Sequence, residues 1–479
     1  MFSEIPLGLS KILVKNDKGV QSLSDLSALS KRVAGILNSD LGVALLRTFL
    51  ARGIAALGAL GLLFVVGRLY GPAGVGVLAL AQAVLLGASL LARGGMDNAL
   101  MRYVGQDHDS AHVLLYFRWA LIKGLLGGVL VSSTVLMARD WLESQFGSPG
   151  LSSMLLGVSL AVPAYVVAFL LSGFFKGIRM PATASLMENG SVALLAALIL
   201  VLWHFLVGVE GYAAVGFAHL VAAWLVVMQG GGQVWLWYRR VKTAGVLVAR
   251  AKMVSYEQFC STSRAFFATT FATFMQNVLA IMVAGWFLST AELGLFKSSQ
   301  QVGMLIAFIL LVLNAIFPPR FAALYYQGKV AALSRLARQG VLIGVVVAMP
   351  LLLICLIFPV WVLAWFGEGF AGAAPLLRLI ALAQLINVAT GSVGFLLNMT
   401  GHEKLMRNIA LFCNFLGLLG FWLLVPPLGP IGAAIALAFI LITQNLVSLF
   451  YVWRVLGIWT LPCPNLLALL GVKTRAQKA

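Results

Sequence analysis

Twelve stretches of about twenty or more mostly apolar residues follow one another along this chain, at 44–68, 73–92, 114–138, 152–175, 182–205, 212–237, 261–288, 292–317, 338–363, 373–398, 406–426 and 431–455. Each is long enough to cross the ~30 Å hydrocarbon layer of a membrane as an α-helix. Of the 479 residues, 61% are hydrophobic and 10% charged, against roughly 25% charged in soluble domains. Polar side chains are therefore too few to cover the apolar surface in water. In lipid that requirement disappears, and a helix satisfies its own backbone polar groups. The sequence predicts an all-α integral membrane protein of about twelve transmembrane helices. Gly71-Pro72, Pro181, Pro318-Pro319 and Pro426-Pro427 punctuate the expected junctions.

A net charge of +18 suggests nucleic acid at first sight, but the placement of the charges excludes it. Lys and Arg concentrate in alternate loops, as the positive-inside rule requires of a multi-pass protein. With both termini cytoplasmic, the inner loops hold Arg93 and Arg102; Lys176 and Arg179; a central group from Arg239 to Lys252; Arg320, Lys329, Arg335 and Arg338; and Lys404 and Arg407. The outer loops hold only Arg68 and Arg139 among basic residues, with Asp140, Glu143, Glu210, Glu292 and Glu368. A missed crossing would invert this alternation from that point on. A bacterial inner membrane is the expected location. Residues 1–40 lack the uninterrupted apolar core of a signal peptide. Their Leu23, Leu26, Leu29, Val33, Ile36 and Leu37 recur at helical spacing and predict an amphipathic cytoplasmic extension.

The chain also repeats. Ala73, Gly76 and Gln82 match Ala291, Gly294 and Gln300 at one constant offset, and Gly208-Val-Glu-Gly-Tyr matches Gly429-Pro-Ile-Gly-Ala in outline. Two six-helix halves follow, 41–240 and 241–456, with a basic cytoplasmic tail at 457–479. Six is even, so the halves share their orientation in the membrane, an arrangement found in secondary transporters.

Ionisable residues inside the spans are the candidates for function. They are Arg47 and Arg52 in the first, Lys123 in the third, Arg264 in the seventh, Lys297 in the eighth and Arg378 in the tenth. A charge at the bilayer centre costs ~2.5–3.5 kcal/mol on insertion scales. Snorkelling to the interface is open to Arg47, Lys123, Arg264 and Arg378, whereas Arg52 and Lys297 are expected deeper. At the repeat offset Arg47 falls beside Arg264. Together these cations predict a basic cleft between the halves, suited to an anionic ligand and, through arginine, to phosphate. Glu188, the one acidic residue expected well inside a span, is a candidate for coupling to an H+ or Na+ gradient or else a packing partner. Gln82, Thr273, Gln276, Asn277, Gln300 and Asn387 are candidates for a polar path, with helix–helix hydrogen bonding as the alternative. The Gly230-Gly-Gly232 run marks an expected helix end. Cys260, Cys355, Cys413 and Cys463 have no paired spacing. No HExxH, GxSxG or P-loop occurs. A transporter without cofactor or metal is expected rather than an enzyme.

Several segments resemble a known family. Leu69-Tyr-Gly-Pro-Ala-Gly-Val-Gly and Gly95-Met-Asp-Asn-Ala-Leu-Met-Arg look like the start of Wzx-type polysaccharide flippases. Asn314-Ala-Ile-Phe-Pro-Pro-Arg320, Leu324-Tyr-Tyr-Gln-Gly328, Gly401-His-Glu-Lys404 and Gly429-Pro-Ile-Gly-Ala-Ala are similar to its second half. The resemblance covers about 44–456 and implies membership of the multidrug/oligosaccharidyl-lipid/polysaccharide exporter superfamily. It implies two six-helix lobes in a V with alternating access. The implied cargo is an oligosaccharide on polyprenyl pyrophosphate, moved from the cytoplasmic to the periplasmic leaflet. Implied partners are membrane lipids, a polysaccharide polymerase and a chain-length regulator. A related exporter of lipid II or of drugs shares the pattern. A membrane glycan polymerase or ligase is the more distant alternative, because the outer loops are short.

Overall fold

A computed structural model describes residues 40–106, 112–208, 210–243 and 253–461. The amphipathic extension expected before residue 40 and the basic tail after 461 lie outside the described residues. Within them the chain is helical throughout. The first half comprises α1 (Asp40–Arg93), α2 (Met96–Gln106), α3 (His112–Phe146), α4 (Leu151–Gly177), α5 (Pro181–Leu186), α6 (Asn189–Val207) and α7 (Tyr212–Thr243). The second begins with α8 (Tyr256–Phe274), a π-helical turn (Met275–Leu279) and α9 (Ala280–Phe287). It continues through α10 (Thr290–Ile306), α11 (Phe308–Tyr326), α12 (Val330–Ile357), α13 (Pro359–Ala364) and a 3-10 turn (Glu368–Ala373). It ends with α14 (Ala374–Thr390), α15 (Val393–Met399) and α16 (Glu403–Leu456).

Among the described residues, eight helical units are long and apolar enough to cross a membrane. Two of these, α1 and α16, have 54 residues each, about 81 Å at 1.5 Å per residue. That is far more than a ~30 Å hydrocarbon layer holds. Both bend at a glycine followed by proline: Gly71 (φ 66°, ψ −166°) before Pro72 and Gly429 (φ 58°, ψ −140°) before Pro430. A residue before proline is pushed out of the helical region, and only glycine takes this positive φ without a Cβ penalty. Each long helix is thus two crossings joined by a one-residue corner. The stretches 256–287 and 290–326 are each interrupted, by the π turn and near Ala307.

Three junctions differ from expectation. The second corner is at Gly429-Pro430, and Pro426 and Pro427 sit inside α16. Pro318 and Pro319 lie within α11, which runs on to Tyr326. Gly230-Gly-Gly232 does not end a helix, since α7 continues to Thr243.

The core of the first half is α4, where Leu155, Tyr165, Phe174 and Phe175 are fully buried. Gly157 of α4 faces the backbone of Gly216 in α7 so closely that a Cβ on either would overlap main-chain atoms. Small residues of this kind let membrane helices approach where lipid gives no hydrophobic drive.

The halves meet on a pseudo-twofold contact. A Cβ on Gly76 would strike the carbonyl of Thr290, and one on Gly294 would strike the carbonyl of Pro72. Pro72 and Thr290 are separated by the same offset as Gly76 and Gly294. The contact is therefore isologous, with each residue touching the repeat-mate of its neighbour, as at a twofold axis. Around it Gly67 packs on Phe366 and Phe370, and Gly369 on Pro72. Arg68 donates from Nε to the Trp365 carbonyl (2.7 Å) and from Nη2 to that of Ala364 (3.4 Å). These carbonyls close the C-terminal end of α13, where a cation is favoured. All of these contacts lie at the end that the charge pattern assigns to the periplasm.

Candidate functional site

Helix geometry gives a depth for each expected cation. Counting back from Gly71 at 1.5 Å per residue, Arg52 lies about 28 Å and Arg47 about 36 Å from the outer corner. Arg264 lies about 35 Å from the outer end of α9 by the same measure. A hydrocarbon layer of ~30 Å leaves all three near its inner boundary. Arg47 and Arg264 are exposed and Arg52 is partly buried. Phe49 and Gly53, either side of Arg52, touch Phe308 of α11, so Arg52 borders the seam between the halves. Lys123 is exposed, and its Nζ reaches Cys260 Sγ (3.4 Å) and the Tyr256 ring (5.9 Å) at the inner end of α8. Arg378 sits about 6 Å from the start of α14 and donates from Nε to the Leu356 carbonyl (3.1 Å) in the last turn of α12. Its charge caps a helix end at the outer face and does not line a cleft.

Lys297 is the exception. It lies about 10 Å from the start of α10, close to mid-membrane, and is partly buried. On the helical wheel it is about 60° round from Gly294, beside the twofold contact. Its Nζ donates to Gln300 Oε1 (3.3 Å), and among the described residues no carboxylate pairs with it. The expected basic interior thus reduces to one deep lysine, with Arg47, Arg52 and Arg264 at the inner rim.

Glu188 is not inside a span. The short α5 ends at Leu186, and Glu188 is the N-cap residue of α6 in extended conformation. There it accepts Lys176 Nζ (2.7 Å) and Ser172 Oγ (3.2 Å), and its charge suits a helix N-terminus. A hydropathy window runs smoothly across this break because Ala184, Met187 and Val192 on either side are apolar.

Three hydroxyls of α8 are engaged with the first half. Thr262 Oγ1 meets the Tyr103 hydroxyl (2.6 Å), Ser263 donates to the Gly94 carbonyl (2.8 Å), and Asn98 donates to Thr270 Oγ1 (3.1 Å). Phe259 packs among Tyr103, Tyr116 and Trp119. Beyond the π turn, α9 touches both halves, with Trp286 on Phe146 and Phe287 on Trp422. The first span of the second half therefore straddles the seam, and the π turn, a feature frequent at functional sites, separates its two parts. Thr273 is on the last turn of α8 and Gln276 and Asn277 are on the π turn; their side chains lie outside the described residues. Gln82 belongs to the first half's interior: the Val215 carbonyl takes the His219 Nδ1 proton (2.9 Å), leaving Nε2 to accept from Gln82 (3.5 Å).

Asn387 opens onto a group that the sequence did not single out. A cavity of about 280 Å³ lies between α11, α14, α15 and α16, lined in part by Asn314, Asn387, Gln444, Asn445, Ser392 and Asn398. Asn445 donates to Asn387 Oδ1 (3.2 Å) and Asn387 to Gln384 Oε1 (2.9 Å), while the Thr390 hydroxyl, 3.3 Å from Asn445 Oδ1, donates to the Ile386 carbonyl of its own helix (2.9 Å). Ser392 donates to Asn314 Oδ1 (2.5 Å). Missed as well was Arg93, buried at the end of α1. It stacks 3.8 Å over the Phe169 ring and lies 3.7 Å from Asp97.

The family model described as polysaccharide biosynthesis protein matches residues 44–324. No curated protein matches the sequence. Among solved structures, the inward-facing conformation of a multidrug resistance MATE family transporter of the MOP superfamily is 16% identical, with a TM-score of 0.62 over 83% of this chain and 93% of that one. MATE in a bent conformation is 16% identical, TM-score 0.54, over 88% and 96%. A Pyrococcus furiosus MOP superfamily transporter, described as having a binding pocket of reverse polarity that suggests a different function, is 14% identical, TM-score 0.53, over 85% and 94%. The fold of this multi-pass protein is thus that of MOP-superfamily transporters. Because the family match spans more than half of the sequence, the chain belongs to the polysaccharide biosynthesis protein family.

Proposed function

We propose that the protein is a flippase for polyprenyl-pyrophosphate-linked oligosaccharide. It moves this lipid from the cytoplasmic to the periplasmic leaflet of a bacterial inner membrane for O-antigen, capsule or exopolysaccharide synthesis. The observation that carries the reading is Lys297, a cation near mid-membrane at the seam between the halves with no carboxylate paired to it among the described residues. A lone charge there is costly, and a passing anion offsets that cost. The arginine rim gives the pyrophosphate a first contact, since guanidinium suits phosphate geometry, and Lys297 receives it at mid-membrane. The sugars follow the pyrophosphate along the neutral polar groups.

Alternating access fits a seam sealed at one end by the twofold glycine contact, the packing of Gly67 on Phe366 and Phe370, and Arg68. Separation there, with closure at the arginine rim, would turn the cleft outward. An H+ or Na+ gradient is the proposed drive. A polymerase and a chain-length regulator are the proposed partners on the outer side. The test is a deletion strain complemented with the parent gene or with Lys297→Ala. The parent restores surface polysaccharide, and the variant leaves lipid-linked oligosaccharide accumulated. Cationic drug efflux with intact surface polysaccharide in the deletion strain would replace this reading with drug export.

A further inference from the structure

The cavity in the second half has a composition that helix packing does not require. Carboxamides from three helices, Asn314, Asn387, Gln444 and Asn445, converge on one space of about 280 Å³. Each carboxamide both donates and accepts, and the chain from Asn445 through Asn387 to Gln384 fixes the orientation of Asn445 and Asn387. Asn445 spends its second N–H on the Leu441 carbonyl (2.9 Å). One N–H of Asn387 and the second lone pairs of the amide oxygens point to a ligand with both kinds of partner. Phe395, 37% exposed, adds a flat apolar ring face, and Asn398 is exposed at the mouth.

The space is near the lower bound of about 300 Å³ for small-molecule sites. That is the scale of one sugar ring. No Lys, Arg, His, Asp or Glu lines the cavity among the described residues. A charged group entering it would lose hydration without gaining an opposite charge, which is strongly unfavourable. Divalent cations favour carboxylate oxygens, which it lacks.

We propose that this cavity is a subsite for one uncharged sugar residue, a hexose or N-acetylhexosamine, and that it rejects a uronic acid. Its place in a transport cycle rests on the flippase reading, but its ligand can be tested without transport. Purified protein in nanodiscs is examined by saturation-transfer NMR with methyl N-acetylglucosaminide and with methyl glucuronide. The parent is expected to take up the neutral glycoside at least fivefold more strongly. Asn387→Leu and Asn445→Leu are expected to lower that signal at least tenfold. Asn398→Trp, at the exposed mouth, is expected to block it with the interior packing untouched, and so stands in if the leucine variants fail to fold. Equal uptake of both glycosides by the parent would overturn the proposal. So would neutral uptake unchanged in Asn398→Trp and in the folded leucine variants. Selective binding, lost in the variants, without movement of any lipid-linked glycan would support the subsite and overturn the flippase reading.

Discussion

Arg68 is the residue whose loss should most cleanly change how the two halves sit. It reaches across the seam to two carbonyls at the end of α13, at 2.7 and 3.4 Å. A hydrogen bond from a charged donor contributes about 1.5–3 kcal/mol when sheltered. Arg68 is exposed, so solvent competes, and about 1–2 kcal/mol is the expected loss on Arg68→Ala, with the shorter bond dominant. That shifts the ratio of sealed to open seam by about 5- to 30-fold. Spin labels at Trp141→Cys in α3 and Ala291→Cys in α10, both exposed positions, report the outer separation by pulsed electron resonance in a background without native cysteines. The separated population should rise by that factor, with thermal stability nearly unchanged. An unaltered distance distribution, together with unaltered transport, would refute the assignment of Arg68 as a latch.

Gly294→Leu should be more severe, because its side chain must displace the Pro72 main chain; overpacking of about 1–3 kcal/mol is expected to hold the seam apart and reduce transport at least tenfold, read by the same labels and by vesicle flux. Lys297→Met should raise the melting temperature or leave it unchanged, since a lone intramembrane charge is removed, while abolishing transport; a fall of many degrees would make Lys297 a structural residue. Glu188→Gln should leave gradient-stimulated transport within twofold of the parent, because the Lys176 pair and the Ser172 hydroxyl explain this carboxylate. Loss of gradient stimulation in Glu188→Gln would instead identify the coupling carboxylate.

The spans were legible because the bilayer itself sets their length, and Gly71-Pro72 marked a true corner. The match of Gly76 to Gly294 read as a repeat, and in the fold these two glycines form the contact between the repeats. Arg52, expected deeper, lies near the inner boundary with Arg47 and Arg264, because α1 and the α8–α9 stretch extend well past the hydrocarbon layer. A hydropathy window sees only the apolar part of such a helix. Glu188 was misplaced because a two-residue break between α5 and α6 costs a helix its continuity without costing the segment its hydropathy. The carboxamide cavity draws Asn314, Asn387 and Asn445 from spans far apart in sequence, so nothing local joins them. Thr262, Ser263 and Thr270 of α8 bind the neighbouring half, which is the helix–helix hydrogen bonding that the sequence left open beside a polar path.

The central claim is tested most directly by flux in sealed proteoliposomes. A fluorescent oligosaccharide on polyprenyl pyrophosphate is placed in the outer leaflet, and its loss from that leaflet is followed by a membrane-impermeant quencher. The parent protein should move it. It should move the dephosphorylated lipid at least tenfold more slowly, and Lys297→Ala should move neither. Equal movement of the phosphorylated and dephosphorylated lipids, or undiminished flux in Lys297→Ala, would contradict capture of the pyrophosphate at mid-membrane.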